Sequence, residues 1–315
     1  SVTMLLNRFP PEILSNVVYR LFNNQLSALI LTGDKLLLRK IKQSPVNVSY
    51  DERIVYKPQH SFVTSFFKNV KSLCITVANP SIYKLPESIE SFFIYNTKRG
   101  DVIKWMEMLP EKLIDLSIYS VDEAISSELM RIPKLVPRSV VSFAFGCKFQ
   151  NETYFVNFCK DLPDLKTFKF VFGFDPGVES ALALPRTLVS MSISKTKRPL
   201  VLTSEFCSMF PPTLHTMEFV GCIPTSYHDL PSNVVKVIFA CPDSGMSVTA
   251  SMFPKTVKHF ESDFIMKDLD IPSMARHFDT FIYEMMPGID NPPYEWMFLR
   301  EKESITKRKK ITSTE

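Results

Sequence analysis

The sequence is poor in glycine and lacks the short motifs that most nucleotide-binding and metal-binding proteins carry. Only 8 glycines occur in 315 residues, against about 22 at average usage. No G-x-G-x-x-G and no G-x-x-x-x-G-K-[ST] is present, which excludes the common backbone cradles for phosphate. The 6 cysteines form no C-x-x-C, and the 5 histidines form no H-E-x-x-H. Neither a metal site nor a cofactor is therefore expected.

The sequence also lacks a strong excess of one charge and any long apolar run. The formal net charge is +4, and residues 300–315 contribute +3 of it, with six basic and three acidic side chains. The rest of the chain has no concentrated basic stretch, so no nucleic-acid partner is expected. No stretch approaches the ~20 apolar residues of a membrane span, and no signal peptide is recognisable, so no membrane partner is expected either.

The cysteines are best interpreted as reduced, buried thiols, which places the protein in the cytoplasm, the nucleus or both. The basic run at residues 307–310 can be a nuclear import signal or a solvated tail.

The first 45 residues are rich in leucine with helical spacing. Pro10 and Pro11 suit the first turn of a helix, and Ile13, Leu14, Val17, Val18 and Leu21 then form one stripe. A second short helix is predicted to carry Leu26, Leu29 and Ile30. Asp34 is expected to cap a third helix, which bears Leu36, Leu37 and Ile41. The prediction is a three-helix unit over residues 1–45, too small to be stable alone.

The remainder of the chain is repetitive. The pattern apolar-Pro-x-x-apolar-x-x-apolar-x-apolar recurs, with prolines at positions 86, 110, 137, 163, 185, 211, 231 and 254, which are 20–27 residues apart. Leucine-rich repeats have periods of about 20–29 residues, whereas a β-sandwich shows turn signals about every 8–12. Residues 46–295 are therefore predicted to form a leucine-rich-repeat solenoid of about eight to nine repeats.

This solenoid is expected to have parallel strands and an irregular convex side, because the asparagine typical of such repeats is not a regular feature. The chain as a whole is then of the α+β class. Residues 296–315 are predicted to be a flexible basic tail.

The repeat pattern assigns each strand residue to a face. One buried row is predicted at Phe92, Leu116, Phe143, Met191, Met217 and Val237. The residues between the core positions point to the concave face, where large aromatics cluster in the first repeats and charge in the last. Exposed aromatics on adjacent strands are typical of interface hot spots. The predicted partner-binding residues are Phe93, Tyr95, Asp115, Tyr119, Lys169, Glu218, Lys236, His259 and Glu261. The alternative is that the chain ends cover these rings as ordinary core.

Around Phe9-Pro10-Pro11-Glu12-Ile13-Leu14 the chain resembles the F-box, whose members typically begin Leu-Pro-x-Glu-Ile/Leu-Leu. It departs from that family at Gln25, Gly33 and Leu36, where Asp, Cys and Trp are usual. Together with the repeats, the chain resembles F-box/leucine-rich-repeat proteins. The resemblance implies a substrate-recognition subunit of an SCF-type E3 ubiquitin ligase, with the SCF adaptor and cullin scaffold as partners and an unknown protein substrate on the concave face. The adaptor-binding residues that it implies are Pro10, Ile13, Leu14, Val17, Leu21, Leu26 and Leu29.

Two other interpretations remain open. The helical head can be a cap on the first repeat, and the chain is then a non-catalytic scaffold or interaction module without ubiquitin transfer. An enzyme is the third interpretation, because His259, Glu261 and Asp263 alternate along one strand and so share a face. A polar patch on a binding face is the commoner explanation of such a trio, and no G-x-S-x-G is present. A non-catalytic protein is therefore expected.

Overall fold

In the computed structural model, the chain divides into two compact units, Ser1–Cys147 and Lys148–Glu315. The structure describes residues 14, 35–51, 69–76, 85–95, 99–119, 127–195, 200–240, 249–262, 274, 276–283 and 310–312. Each unit is described by itself.

The first unit is a parallel sheet with short helices between its strands. Helix α1 (Lys35–Ile41) precedes β1 (Pro45–Asp51), β2 (Asn69–Thr76) and β3 (Ser91–Tyr95). Helix α2 (Arg99–Glu107) leads to β4 (Asp115–Tyr119), and α3 (Ile132–Leu135) leads to β5 (Ser142–Phe149), whose last two residues belong to the second unit. The strands pair in chain order, and each of these pairs is parallel. The predicted helix at Leu37 and Ile41 is confirmed as α1, but the sheet already begins at Pro45.

The second unit continues this alternation of strand and short helix. Its elements are α4 (Glu152–Lys160), β6 (Thr167–Phe172), α5 (Val178–Ala183), β7 (Ser190–Lys195), β8 (Leu200–Leu202), α6 (Ser204–Ser208), β9 (Thr216–Val220), β10 (Cys222–Pro224), β11 (Lys236–Ala240), β12 (His259–Ser262), β13 (Thr280–Tyr283) and β14 (Lys310–Thr312). The main sheet has the order β6-β7-β9-β11-β12-β13, all parallel, and β14 adds antiparallel to β13. Of the predicted basic tail, the structure describes only Lys310–Thr312, and these residues are that last strand.

Seven repeats enter their strands through the same proline turn. The proline carbonyl accepts a hydrogen bond from the N–H three residues later, at 2.9–3.3 Å, in seven copies: Pro86, Pro110, Pro137, Pro185, Pro211, Pro231 and Pro254. Proline suits the position because its φ is fixed and it has no N–H to leave unpaired. The residue that donates to it is the first buried apolar residue after the proline, such as Leu188 or Val234. The turn therefore fixes which face of the strand is buried.

The turn has a second feature, a side-chain hydrogen bond, which the sequence did not predict. In several repeats, the residue two positions after the proline donates a side-chain hydrogen bond to a backbone carbonyl of the preceding repeat. Ser88 Oγ donates to Val70 O at 2.9 Å, and Ser139 Oγ donates to Leu113 O at 2.6 Å. In the second unit, Thr187 Oγ1 donates to the Leu165 carbonyl at 2.7 Å. These hydroxyls tie neighbouring repeats together outside the sheet.

Helices of neighbouring repeats are also linked by a carboxylate. Glu152 Oε1 in α4 accepts hydrogen bonds from Gly177 N at 2.9 Å, Ser180 N at 3.1 Å and Ser180 Oγ at 2.8 Å. Ser180 is fully buried at the start of α5. Glu152 thus accepts from the first donors of α5, where helical backbone N–H groups lack full partners; Ser180 N is shared with the Gly177 carbonyl at 3.1 Å.

The buried row predicted by the repeat pattern is confirmed within each unit. Phe92, Leu116 and Phe143 are register neighbours in the first unit, and Met191, Met217 and Val237 are register neighbours in the second. All six are at most 1% exposed. Phenylalanine fills much of this core; Phe155, for example, contacts Phe149, Phe170 and Phe172 at ring-centroid distances of 4.9–5.0 Å.

The side opposite the strands is irregular, as predicted. Its helices range from four to nine residues, and two repeats carry only a three-residue 3₁₀ turn, at Tyr227–Asp229 and Ala250–Met252. A second, unpredicted sheet joins β8 to β10 in parallel. Gly221, with φ of 63°, provides the left-handed residue that turns the chain from β9 into β10.

Candidate protein-binding site

The strands of the first unit present an open face, defined here as the side of the sheet opposite the buried rows. Along β3 and β4, half-buried and buried residues alternate strictly. The half-buried residues include Phe93 and Tyr95 in β3 and Asp115 and Tyr119 in β4. These four of the predicted binding residues therefore share the open face. They are neither fully exposed nor part of the core.

These four residues form a compact group, called here the aromatic site. Tyr95 and Tyr119 are direct register partners, and their ring centroids are 6.1 Å apart at an angle of 52°. Phe93 pairs with Ser117, and Asp115 pairs with Ser91. The site therefore consists of three rings with a carboxylate at the end where the strands begin.

The position of the Tyr119 ring depends on Gly146 in β5. A Cβ at Gly146 would lie 2.7 Å from Tyr119 Cε1 and closer still to Cδ1. The ring thus occupies space that any other residue at this position would fill. The repeat pattern placed Gly146 on this face but did not show that its lack of a side chain accommodates the neighbouring ring.

Among the open-face positions described in β2 to β4, Asp115 is the one charged side chain; the others are Ser72, Cys74, Thr76, Ser91, Phe93, Tyr95, Ser117 and Tyr119. On the same side of β5 lie Ser142, Ala144, Gly146 and, near the end of the strand, Lys148. Ser91 Oγ donates to Asp115 Oδ2 at 3.2 Å. The face around the carboxylate is otherwise made of small hydroxyl, aromatic and apolar side chains.

The open face of the second unit carries charges that are already paired. Lys169 Nζ lies 3.9 Å from Glu218 Oε2, and the two strands that carry them flank Ser192. Lys236 Nζ lies 3.0 Å from Glu261 Oε2. These four residues, with His259 beside Lys236 in register, are called the charged belt. Glu261 is only 7% exposed, so it is a buried partner of Lys236 as well as a predicted contact.

In four strands of the second unit the third outward position is not open. Val171, Ser194, Val220 and Ala240, on β6, β7, β9 and β11, are only 2–4% exposed. Alternation along a strand decides which way a residue points but not what covers it. Two second outward positions are buried as well, since Ser192 is 4% and Glu261 is 7% exposed.

Of the predicted adaptor-binding residues, the structure describes only Leu14. It is helical and 1% exposed, so its side chain packs within the chain and offers no surface to an adaptor. Pro10, Ile13, Val17, Leu21, Leu26 and Leu29 lie outside the described residues.

The described residues hold no group of three or more histidine, cysteine, aspartate or glutamate side chains placed to bind a metal ion. The trio that suggested an enzyme is only partly described, since Asp263 lies outside the described residues, and Glu261 is engaged by Lys236. Burial raises the pKa of Cys159 well above its usual value, and burial together with Asp229 raises the pKa of Cys207 to about 12. These thiols are core residues rather than nucleophiles. In the described part of the chain, no helix has the length and apolar character needed to cross a membrane.

No protein-family model and no curated protein matches the sequence. Among solved structures, the chain is similar to the leucine-rich repeat-containing protein LegL7 from Legionella pneumophila, at a TM-score of 0.44 and 10% identity over 77% of this chain and 84% of that one. It is also similar to CroV588, a circular leucine-rich-repeat protein, at a TM-score of 0.35 and 14% identity over 69% of this chain and 32% of that one. At these scores the likenesses do not support the assignment of a leucine-rich-repeat fold. That assignment depends on the parallel strands and repeated turns of the chain itself.

Proposed function

We propose that this chain is a non-catalytic protein-interaction module, and that the open faces of its parallel sheets bind the partner. The observation that carries this proposal is the aromatic site. Partly exposed tyrosines supply large contact area with a polar tip, and such residues dominate the energy of many interfaces. Stacked repeats also form extended surfaces of the kind that bind other proteins.

The more specific form of this proposal is a substrate receptor of an SCF-type ubiquitin ligase. Its support is the F-box resemblance at residues 9–14, directly ahead of the repeats. In this role, the helical head holds the adaptor and the open face holds the substrate, so that the substrate is presented for ubiquitin transfer. The alternative is a scaffold that binds the same partner without any ligase.

Co-elution separates the receptor from the scaffold. The full chain, mixed with purified adaptor and cullin, is expected to elute as one complex in size-exclusion chromatography, and Ile13→Asp is expected to abolish that complex. A charge at this position would be buried without a partner, which costs more than loss of the contact. Ser15→Asp is the matched control, because helical spacing places residue 15 away from the predicted stripe. If neither variant changes elution, or no complex forms, the chain is a scaffold.

A second experiment tests the binding face independently of the ligase. Phe93→Ser combined with Tyr119→Ser is expected to remove partner capture and leave the adaptor complex intact. Ile114→Ser combined with Val141→Ser is the matched control, since Ile114 and Val141 are 41% and 40% exposed in the same unit and lie outside the strands. Equal capture by both double variants would refute the assignment of the open face.

A further inference from the structure

We propose that the aromatic site binds a basic side chain, arginine in preference to lysine, in an extended segment of the partner protein. This inference depends on the proposed function, because it names the kind of partner that the same site recognises. It follows from the chemistry of the four residues and from their positions on two adjacent strands.

The first step of the argument is charge. Asp115 is the one charge on the open-face positions described in β2 to β4, and it is negative; Lys148 lies near the far end of β5, six residues beyond Ser142, the register partner of Asp115. Its described side-chain donor is a neutral hydroxyl, Ser91 Oγ. A carboxylate at an interface favours a partner with positive charge, and its desolvation by a neutral partner would be costly. Charge complementarity therefore selects a cation.

The second step is the aromatic surface beside the carboxylate. The faces of phenylalanine and tyrosine attract a cation within about 6 Å of the ring centroid. Phe93 is the diagonal neighbour of Asp115, since Asp115 pairs with Ser91 and Phe93 pairs with Ser117. Diagonal neighbours on adjacent strands are about 7–8 Å apart, within the reach of long side chains. A cation can therefore contact the carboxylate and the ring of Phe93 together.

The third step is the remaining length of the site. Beyond Phe93, Tyr95 and Tyr119 continue the aromatic surface away from the charge. An arginine has a methylene stem that packs on apolar surface and a planar end that pairs with a carboxylate and stacks on a ring. A lysine offers the stem and the charge but not the planar end, so arginine fits better.

The charged belt of the second unit does not offer a carboxylate to an added cation, because its carboxylates already have lysine partners. Lys236 pairs with Glu261 at 3.0 Å, and Lys169 lies 3.9 Å from Glu218. A basic ligand there would have to displace a lysine. A proline-rich segment could also lie on an aromatic surface, but it would make no use of Asp115. Of the two sites, the aromatic site is the one where an added cation improves the balance of charge.

The test uses an array of nonapeptides with arginine, lysine, citrulline or norleucine at the centre of otherwise identical glycine-serine contexts, together with a proline-rich set. The probe is the full-length chain, and positives are repeated by calorimetry. Citrulline has nearly the shape of arginine without its charge. The arginine peptide is expected to bind about tenfold more tightly than the citrulline peptide, with lysine between them. Raising the salt concentration should narrow this difference.

Asp115→Asn keeps the shape of the side chain and removes its charge, so it is expected to bring the arginine and citrulline peptides to equal affinity. Asp101→Asn is the matched control, because Asp101 lies on α2 in the same unit, 3.7 Å from Lys104. Equal affinities in the wild type, a preference for the proline-rich set, or no binding to any basic peptide would overturn the proposal. Tyr119→Leu distinguishes a failure of the proposed binding face from a failure of the proposed basic ligand. If this variant loses partner capture while Asp115→Asn binds normally, the binding face stands and the basic ligand is wrong. If neither variant has an effect, both the binding face and the basic ligand are wrong.

Discussion

Replacing Gly146 by alanine perturbs the aromatic site without replacing any residue proposed to bind. A Cβ at this position would overlap the ring of Tyr119, so the ring must move or the strands must separate. The backbone itself presents no obstacle, because Gly221 is the one glycine among the described residues with a positive φ. Any cost of Gly146→Ala therefore arises from the contact with Tyr119.

The magnitude follows from two opposing effects. Overpacking of this kind typically lowers the free energy of unfolding by about 1–3 kcal/mol. In a Tyr119→Ala background the ring is gone, and the same Gly→Ala change should raise the free energy of unfolding by about 0.4–1 kcal/mol, because it restricts the unfolded chain. The sign of the effect is thus expected to reverse, with a coupling energy of roughly 1.5–4 kcal/mol between the two positions.

Urea unfolding can be followed in the first unit alone. The chain has 2 tryptophans, at positions 105 and 296, and Trp105 is fully buried in the first unit, 5.8 Å from the ring of Phe92. In a Trp296→Phe background, tryptophan fluorescence reports on that unit. If Gly146→Ala has the same effect with and without the Tyr119 ring, within about 0.5 kcal/mol, the ring does not lie on Gly146 and the described geometry of the site is wrong.

Three further predictions concern the second unit. Glu152→Ala should lower the free energy of unfolding by about 1–3 kcal/mol, because it removes the acceptor of Gly177 N and of the buried Ser180 hydroxyl. Glu152→Gln keeps an acceptor oxygen and should cost clearly less in the same urea titration; equal costs would contradict the hydrogen-bond explanation. Thr187→Val should cost about 1 kcal/mol through loss of the bond to the Leu165 carbonyl, and an unchanged urea midpoint would refute the link between repeats. Because burial raises the pKa of Cys207 to about 12, the folded chain keeps this thiol protonated where the unfolded chain ionises it, above about pH 8.5. The free energy of unfolding should therefore fall as the pH rises from about 9 to 11, and this slope should decrease in Cys207→Ala.

The strands could be predicted from the sequence because a repeated signal is stronger than any single segment. Phe92, Leu116 and Phe143 were placed in one row by spacing alone, and the register pairs them as expected. The same alternation placed Phe93 and Tyr119 together on the open face. Both results follow from the period of two along a strand, which needs no knowledge of tertiary contacts.

What escaped prediction depends on contacts between repeats. The hydroxyl of Thr187 is visible in the sequence, but its acceptor is a carbonyl 22 residues earlier. Glu261 is buried and pairs with Lys236 on the neighbouring strand, and neither fact is visible within its own segment. Strands β8 and β10 have three residues each, too few for an alternating pattern to stand out. No local sequence signal shows that the ends of the strands in the second unit are covered.

Site-specific photo-crosslinking is the most direct test of partner binding at the open face of the first unit. A benzoylphenylalanine in place of Phe93 is expected to crosslink one partner protein, and Tyr119→Leu is expected to abolish that crosslink. The same probe in place of Leu182, which is 45% exposed on α5, serves as the comparison and should capture nothing reproducible. A partner that crosslinks from position 182 and not from position 93 would contradict the proposed binding face.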